Sequence, residues 1–108
     1  MSARVYVAAT VDLLGDWHST GTVPASADRV VAAGDDEESE YAALMTAADL
    51  SQQLLHGPGR RCVLVAETSG EGDIAWRDVV AVHVDTEDDA DPDDDLAWFA
   101  SQEIPLLL

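Results

Sequence analysis

The sequence predicts a single α/β domain over residues 1–108, with α+β as its variant: a mixed four- or five-stranded sheet packed against about three helices. Three observations carry that expectation. Short β-type runs alternate with helical periodicities along the chain, and residues of hydrophobic type make up 47% of it against 25% charged, enough apolar surface to offset the entropy of ordering. No run approaches the roughly 18 apolar residues that a membrane span requires. At 108 residues one core can form without a metal or disulfide staple, and no internal repeat divides the chain.

The elements follow in order. Arg4 to Ala9, RVYVAA, is a strand with Val5 and Val7 on one face and Tyr6 and Ala8 on the other. Thr10 is placed as an N-cap for a short helix carrying Leu13, Leu14 and Trp17, with Asp12 in its first turn and Gly21 suited to a left-handed terminus; Gly15 weakens it. Beyond Pro24, Arg29 to Ala33 reads as a second strand. The strongest helical signal is DDEESEYAALMTAADLSQQLLHGPG. There Asp35 and Glu38 have capping-box spacing, Glu37 and Glu38 favour the positive end of the helix dipole, and Gly57-Pro58 ends the run. Tyr41, Leu44, Met45, Ala48 and Leu55 share the face expected to pack. RRCVLVAE is apolar on both faces, which predicts a central third strand. SGEGD is a turn, Ile74 to Arg77 is extended, and Val79 to Asp85, VVAVHVD, is a further strand. Asp91 before Pro92 has the form of an N-cap followed by proline at the first helical position, with Asp93, Asp94 and Asp95 in the first turn. That spacing predicts a last helix through LAWFASQE, ending near Ile104 because Pro105 disfavours helical geometry before it.

The net charge is −17, from 22 acids against five arginines and no lysine. Scattered Arg4, Arg29, Arg60, Arg61 and Arg77 supply no basic stripe, which excludes direct nucleic-acid binding, and an anionic membrane surface would repel the chain. The scaling of surface with mass gives about 18 Å between net charges, beyond the Debye length of about 8 Å at physiological salt, so a high-salt cytosol is permitted but not required. The apolar part of MSARVYVAAT is too short for a signal peptide, and Cys62, the single cysteine, has no internal disulfide partner. A cytoplasmic location is expected.

Chemistry is sparse. The acidic run Asp85 to Asp95 holds hard oxygen ligands, but calcium-loop registers starting at Asp89 or Asp91 put Asp94 or Leu96 where glycine is needed and Ala100 or Gln102 where a bidentate glutamate is needed. No dedicated metal and no cofactor is expected. Asp35 to Glu40 and Asp85 to Asp95 could together imitate nucleic acid toward a basic protein, although helix starts account for both clusters. His83 and Asp85, two apart on one strand, project to one face and form the best acid–base pair for a small enzyme; a half-buried strand histidine is the competing explanation. His18 and His56 fall near helix C-termini, where histidine caps carbonyls. Cys62 reads as a core thiol, SGEGD lacks the spacing of a phosphate cradle, and the tryptophans lack the basic residues of a stacking platform. Trp98 with Leu106, Leu107 and Leu108 is too much apolar surface to leave bare on so charged a protein, and these four are the candidate contacts for a protein partner or a homo-oligomer. The function expected is a noncatalytic interaction or regulatory domain.

The segments RVYVAATVDLLGDWHSTG, ESEYAALMTAA, AVHVD and WFASQEIPLLL resemble a family of small acidic actinobacterial proteins of unknown function, over roughly half the chain. In the family that these segments resemble, members often carry more residues between the second and third strands and an acidic residue near Leu106. The resemblance implies a shared fold and a bacterial cytosol, and it brings no catalytic residues with it.

Overall fold

The computed structural model describes residues 3–55, 57–69 and 71–108. Seven strands and two α-helices follow one another as β1 (Ala3–Ala9), α1 (Val11–Thr20), β2 (Thr22–Val23), β3 (Arg29–Val31), α2 (Glu37–Leu54), β4 (Cys62–Thr68), β5 (Ile74–Ala75), β6 (Val79–Val84) and β7 (Ala97–Ala100). Single 3-10 segments cover Trp76–Asp78 and Ser101–Leu107. Five strands form the main sheet in the order β3-β1-β4-β6-β7, and β2 pairs with β5 in a separate ribbon. Every ladder is antiparallel, so α+β is the class, and the parallel pairing of a mixed sheet is absent among the described residues. The reason lies in the connections: β1 inserts between β3 and β4, so α2 links two strands of like direction that never touch.

The sheet separates two cores. On one face Val5, Val7, Leu64 and Val82 meet Leu14 and Trp17 of α1, Val23 and Ile74 of the ribbon, and Ile104 of the last 3-10 segment. On the other, Tyr6, Val63, Val65 and Ala81 meet Ala43, Ala47 and Ala48 of α2. β4 is buried on both sides from Cys62 to Ala66, the central position its two apolar faces predict.

Local signals explain most boundaries. The Thr10 hydroxyl accepts the Leu13 N–H at 3.1 Å, and Gly21 closes α1 at φ 78°, its N–H returning to the Trp17 carbonyl. For α2 the cap is Asp36 rather than Asp35: its carboxylate accepts the Ser39 N–H at 3.1 Å and the Ser39 hydroxyl at 2.7 Å. The packing face of α2 is also rotated from the expected one. Its buried residues are Ala43, Ala47, Ala48 and Ser51, while Tyr41 is 53% exposed. Small side chains let the helix lie close to the sheet, and Ser51 then bonds directly into it, donating to the Ala9 carbonyl at 2.6 Å and accepting the Cys62 N–H at 2.8 Å. A bulky leucine face would hold the two layers too far apart for those bonds.

The expected last helix is absent. Residues 97–100 instead form β7, pairing Trp98 with His83 and Phe99 with Val82, and a 3-10 segment follows with Pro105 inside it. The aspartates bend a loop: Asp91 Oδ1 accepts the Asp93 N–H at 2.9 Å, and Asp94 Oδ2 accepts the Asp91 N–H at 3.2 Å. The carbonyls that would open a helix are taken by Arg61, which donates to those of Asp91, Pro92 and Asp94 at 3.2, 3.0 and 2.9 Å. Aromatic Trp98 and Phe99 then find a strand partner in β6.

Candidate functional site

Asp85 lies just past the end of β6 and is 3% exposed. Arg61, 1% exposed at the entry to β4, grips it through Nε to Oδ2 at 2.9 Å and Nη2 to Oδ1 at 2.8 Å, and the Arg61 main-chain N–H adds a third bond of 2.9 Å to Oδ2. The fork and carboxylate are bidentate. With three loop carbonyls on the same guanidinium, this pair anchors the acidic loop to the sheet. His83 points to the α2 face among Tyr6, Val65 and Trp98, and among the described residues no hydrogen bond joins it to Asp85. Burial pushes the His83 imidazole below its ordinary value of 6.5, toward the neutral form. The two residues proposed as an acid–base pair are thus not brought together: Asp85 has left the strand and faces Arg61.

α2 packs chiefly on β3, β1 and β4, and a recess remains on that face beside His83 and Trp98. A groove of about 300 Å³ runs there, with Tyr6, Glu37, Glu40, Tyr41, His83 and Trp98 in its walls. Trp98 stands at its outer rim, 59% exposed. Tyr41 closes the opposite end by donating its hydroxyl to Asp95 at 3.1 Å; that bond, and the neighbouring negative charge, raise the Tyr41 pKa. Arg4 enters from β1 and is held by Glu67 at 2.8 Å and Glu40 at 3.4 Å, contacts that outweigh its partial desolvation and raise its pKa, the Glu67 bond most.

β7 ends the sheet, and its outer edge has a definite pattern. The Ala100 N–H donates to Glu103 Oε1 at 3.0 Å and not to β6, so it points outward. Main-chain groups alternate sides along an antiparallel strand, which turns the N–H and carbonyl of Trp98 outward too. No loop, turn or side-chain group among the described residues bonds them. Glu103 closes one end of an edge that is open at Trp98.

The four candidate partner contacts do not form one surface. Leu107 packs against the α1-side core, across the sheet from Trp98, while Leu106 is 84% and Leu108 52% exposed. Leu106 and Leu107 border a separate cleft with Thr10, Leu14, Pro58 and Arg60. Cys62 is a core thiol whose burial pushes it up to about 12, and His18 sits in the last turn of α1 with its ring edge-on to Trp76, centroids 5.2 Å apart. His56 lies outside the described residues. No three histidine, cysteine or carboxylate side chains converge as metal ligands among the described residues, and no helix there is long and apolar enough to cross a membrane.

The model of a family of unknown function, DUF6912, matches residues 3–108. The chain belongs to that family. No curated protein and no solved structure matches it. The DUF6912 match takes in every element that builds the groove, from β1 to the C-terminal 3-10 segment. Sequence patterns had pointed to Trp98 and His83; Arg61, Tyr6, Tyr41 and Glu37 were missed. For Arg61 the sequence carried no distinguishing signal, since Arg4 and Arg29 also open apolar strands.

Proposed function

We propose that this DUF6912 chain is a noncatalytic interaction domain of the cytoplasm, which receives a protein partner along β7 and the recess on the α2-side sheet face. The observation that carries this reading is Trp98: a 59% exposed tryptophan on an edge strand with free main-chain groups, beside a groove that α2 leaves uncovered. Exposed aromatic side chains bordering a recess are the commonest energetic anchors of protein interfaces. The small-enzyme alternative loses support because Asp85 is committed to Arg61, and among the described residues no ion pair within 4 Å joins His83 to a carboxylate. A second copy is a poorer occupant than a different protein, since joining two chains of net charge −17 sets like charges against each other.

Immobilised wild-type chain and its Trp98→Ser variant, exposed to the cytosol of the source organism, test the reading. The variant should melt at the same temperature and lose the specifically captured protein, whereas Leu106→Ser should keep it. Equal capture by wild type and Trp98→Ser, or none by either, would remove the proposal.

One observation favours a second reading, mimicry of nucleic acid toward a basic protein. The Tyr41–Asp95 bond brings the acidic start of α2 beside the acidic loop, as one continuous anionic face requires. Mimicry predicts that capture survives Trp98→Ser and falls when Asp93, Asp94 and Glu38 are changed to their amides.

A further inference from the structure

Resting on the docking reading above, we infer that the occupant of this site is an extended basic segment. Its main chain pairs with the outer edge of β7 at Trp98, and a lysine or arginine side chain enters the groove between Trp98, Tyr41 and Glu37.

Three features support that chemistry independently. The first is the edge. Trp98 offers an outward N–H and carbonyl, and Glu103 already occupies the Ala100 N–H, so Trp98 is where a short strand can add to β7 with both main-chain bonds. Strand addition takes affinity from such main-chain bonds and specificity from alternate side chains.

The second is the geometry of the face. In an added antiparallel strand, the residue opposite Trp98 projects to the same side of the sheet with its Cβ about 5 Å away. A long side chain there can reach across the indole into the space that Trp98 shares with Tyr41 and Glu37. Aromatic walls favour a cation over a neutral polar group.

The third is charge. Glu37, Glu40 and Asp95 border this space against the single guanidinium of Arg4, which Glu67 and Glu40 already hold. Among the described residues Glu37 makes no ion pair within 4 Å. An anionic segment would meet three carboxylates and the field of a chain of net charge −17; a basic one is drawn in by both.

The experiment uses the full-length chain labelled with ¹⁵N and a short, end-blocked peptide alternating valine with arginine. Controls replace every arginine with glutamine or with glutamate. The arginine peptide should shift the Trp98 indole and amide signals saturably, and Glu37→Gln should weaken it by about threefold, the size of a partly exposed ion pair. The glutamate peptide should leave the spectrum unchanged. Equal binding of the glutamine and arginine peptides would overturn the cationic occupant while leaving β7 as a docking edge. If no peptide binds, yet capture from cytosol still depends on Trp98, the basic strand is refuted and the docking reading stands. If neither peptide binding nor Trp98-dependent capture is seen, both fall.

Discussion

At the scale of single residues, the costliest group to bury is Arg61, and everything around it serves to offset that cost. A buried charge is tolerated when its partner is close and its remaining donors are satisfied, and Arg61 meets both conditions through Asp85 and three loop carbonyls. Arg61→Met should therefore cost about 3–5 kcal/mol in urea unfolding, because Asp85 is left charged and buried. Adding Asp85→Leu to it should recover part of the loss; a double variant less stable than the single one would contradict this account. Arg61→Lys should also destabilise the chain, since an ammonium cannot reproduce the fork. His83 carries the opposite logic. Burial lowers its folded pKa below the unfolded value of 6.5, so as pH falls through 6.5 the unfolded chain takes up the proton first, and stability is lost below that value and fully retained above it. Unfolding curves from pH 7.5 down to pH 5 should show the advantage of wild type over His83→Gln shrinking with acidity, and parallel curves would contradict it.

At the scale of elements, two pairs of neighbours separate structural work from mere presence. Asp36→Ala should lower the melting temperature by removing the cap of α2, and Asp35→Ala, one residue earlier, should leave it nearly unchanged, as the Asp36–Ser39 bonds require. Leu107→Ser should cost about 1–2 kcal/mol by withdrawing a side chain packed on the core, whereas Leu106→Ser should lie within about 0.5 kcal/mol of wild type. Such contrasts also mark how far sequence reading reached. β1, β4 and β6 were legible because alternation or a continuous apolar run depends only on which faces are covered, and α1 because Thr10 and Gly21 act within one turn. The last element was not. Asp91-Pro92 followed by three aspartates is a proper helix start locally, and it is overridden by a guanidinium some thirty positions earlier in the chain. The same non-local contact removed Asp85 from the expected pairing with His83. The packing face of α2 was misjudged for a related reason: apolar periodicity favours large residues, while close helix–sheet approach selects alanine and a serine that bonds both β1 and β4. The groove was half legible, through Trp98 and His83, because its other walls come from elements whose relative placement only the fold defines.

At the scale of the whole molecule, the question is whether so many negative charges oppose folding. The accessible surface is 6071 Å² and the net charge −17, which corresponds to about 360 Å² per net charge and a mean spacing of about 19 Å; at physiological salt the screening length is about 8 Å, and at 0.01 M it is about 30 Å. Repulsion therefore reaches across several neighbouring charges in dilute buffer and hardly past one in ordinary cytosol. Among the described residues the ion pairs that salt would weaken are few and at least partly exposed, Arg4 with Glu67 and Glu40 and Arg60 with Asp88, whereas the buried Arg61–Asp85 pair is shielded from it. Raising salt from 0.01 M to 0.15 M should accordingly raise the melting temperature, with the gain levelling off above that point. The peptide-binding experiment should show the reverse dependence, since attraction between a basic strand and the groove is screened by the same ions. A melting temperature that kept climbing into the molar range would mean that specific ion binding, and not screening, sustains the fold, and would identify the chain as adapted to a high-salt interior.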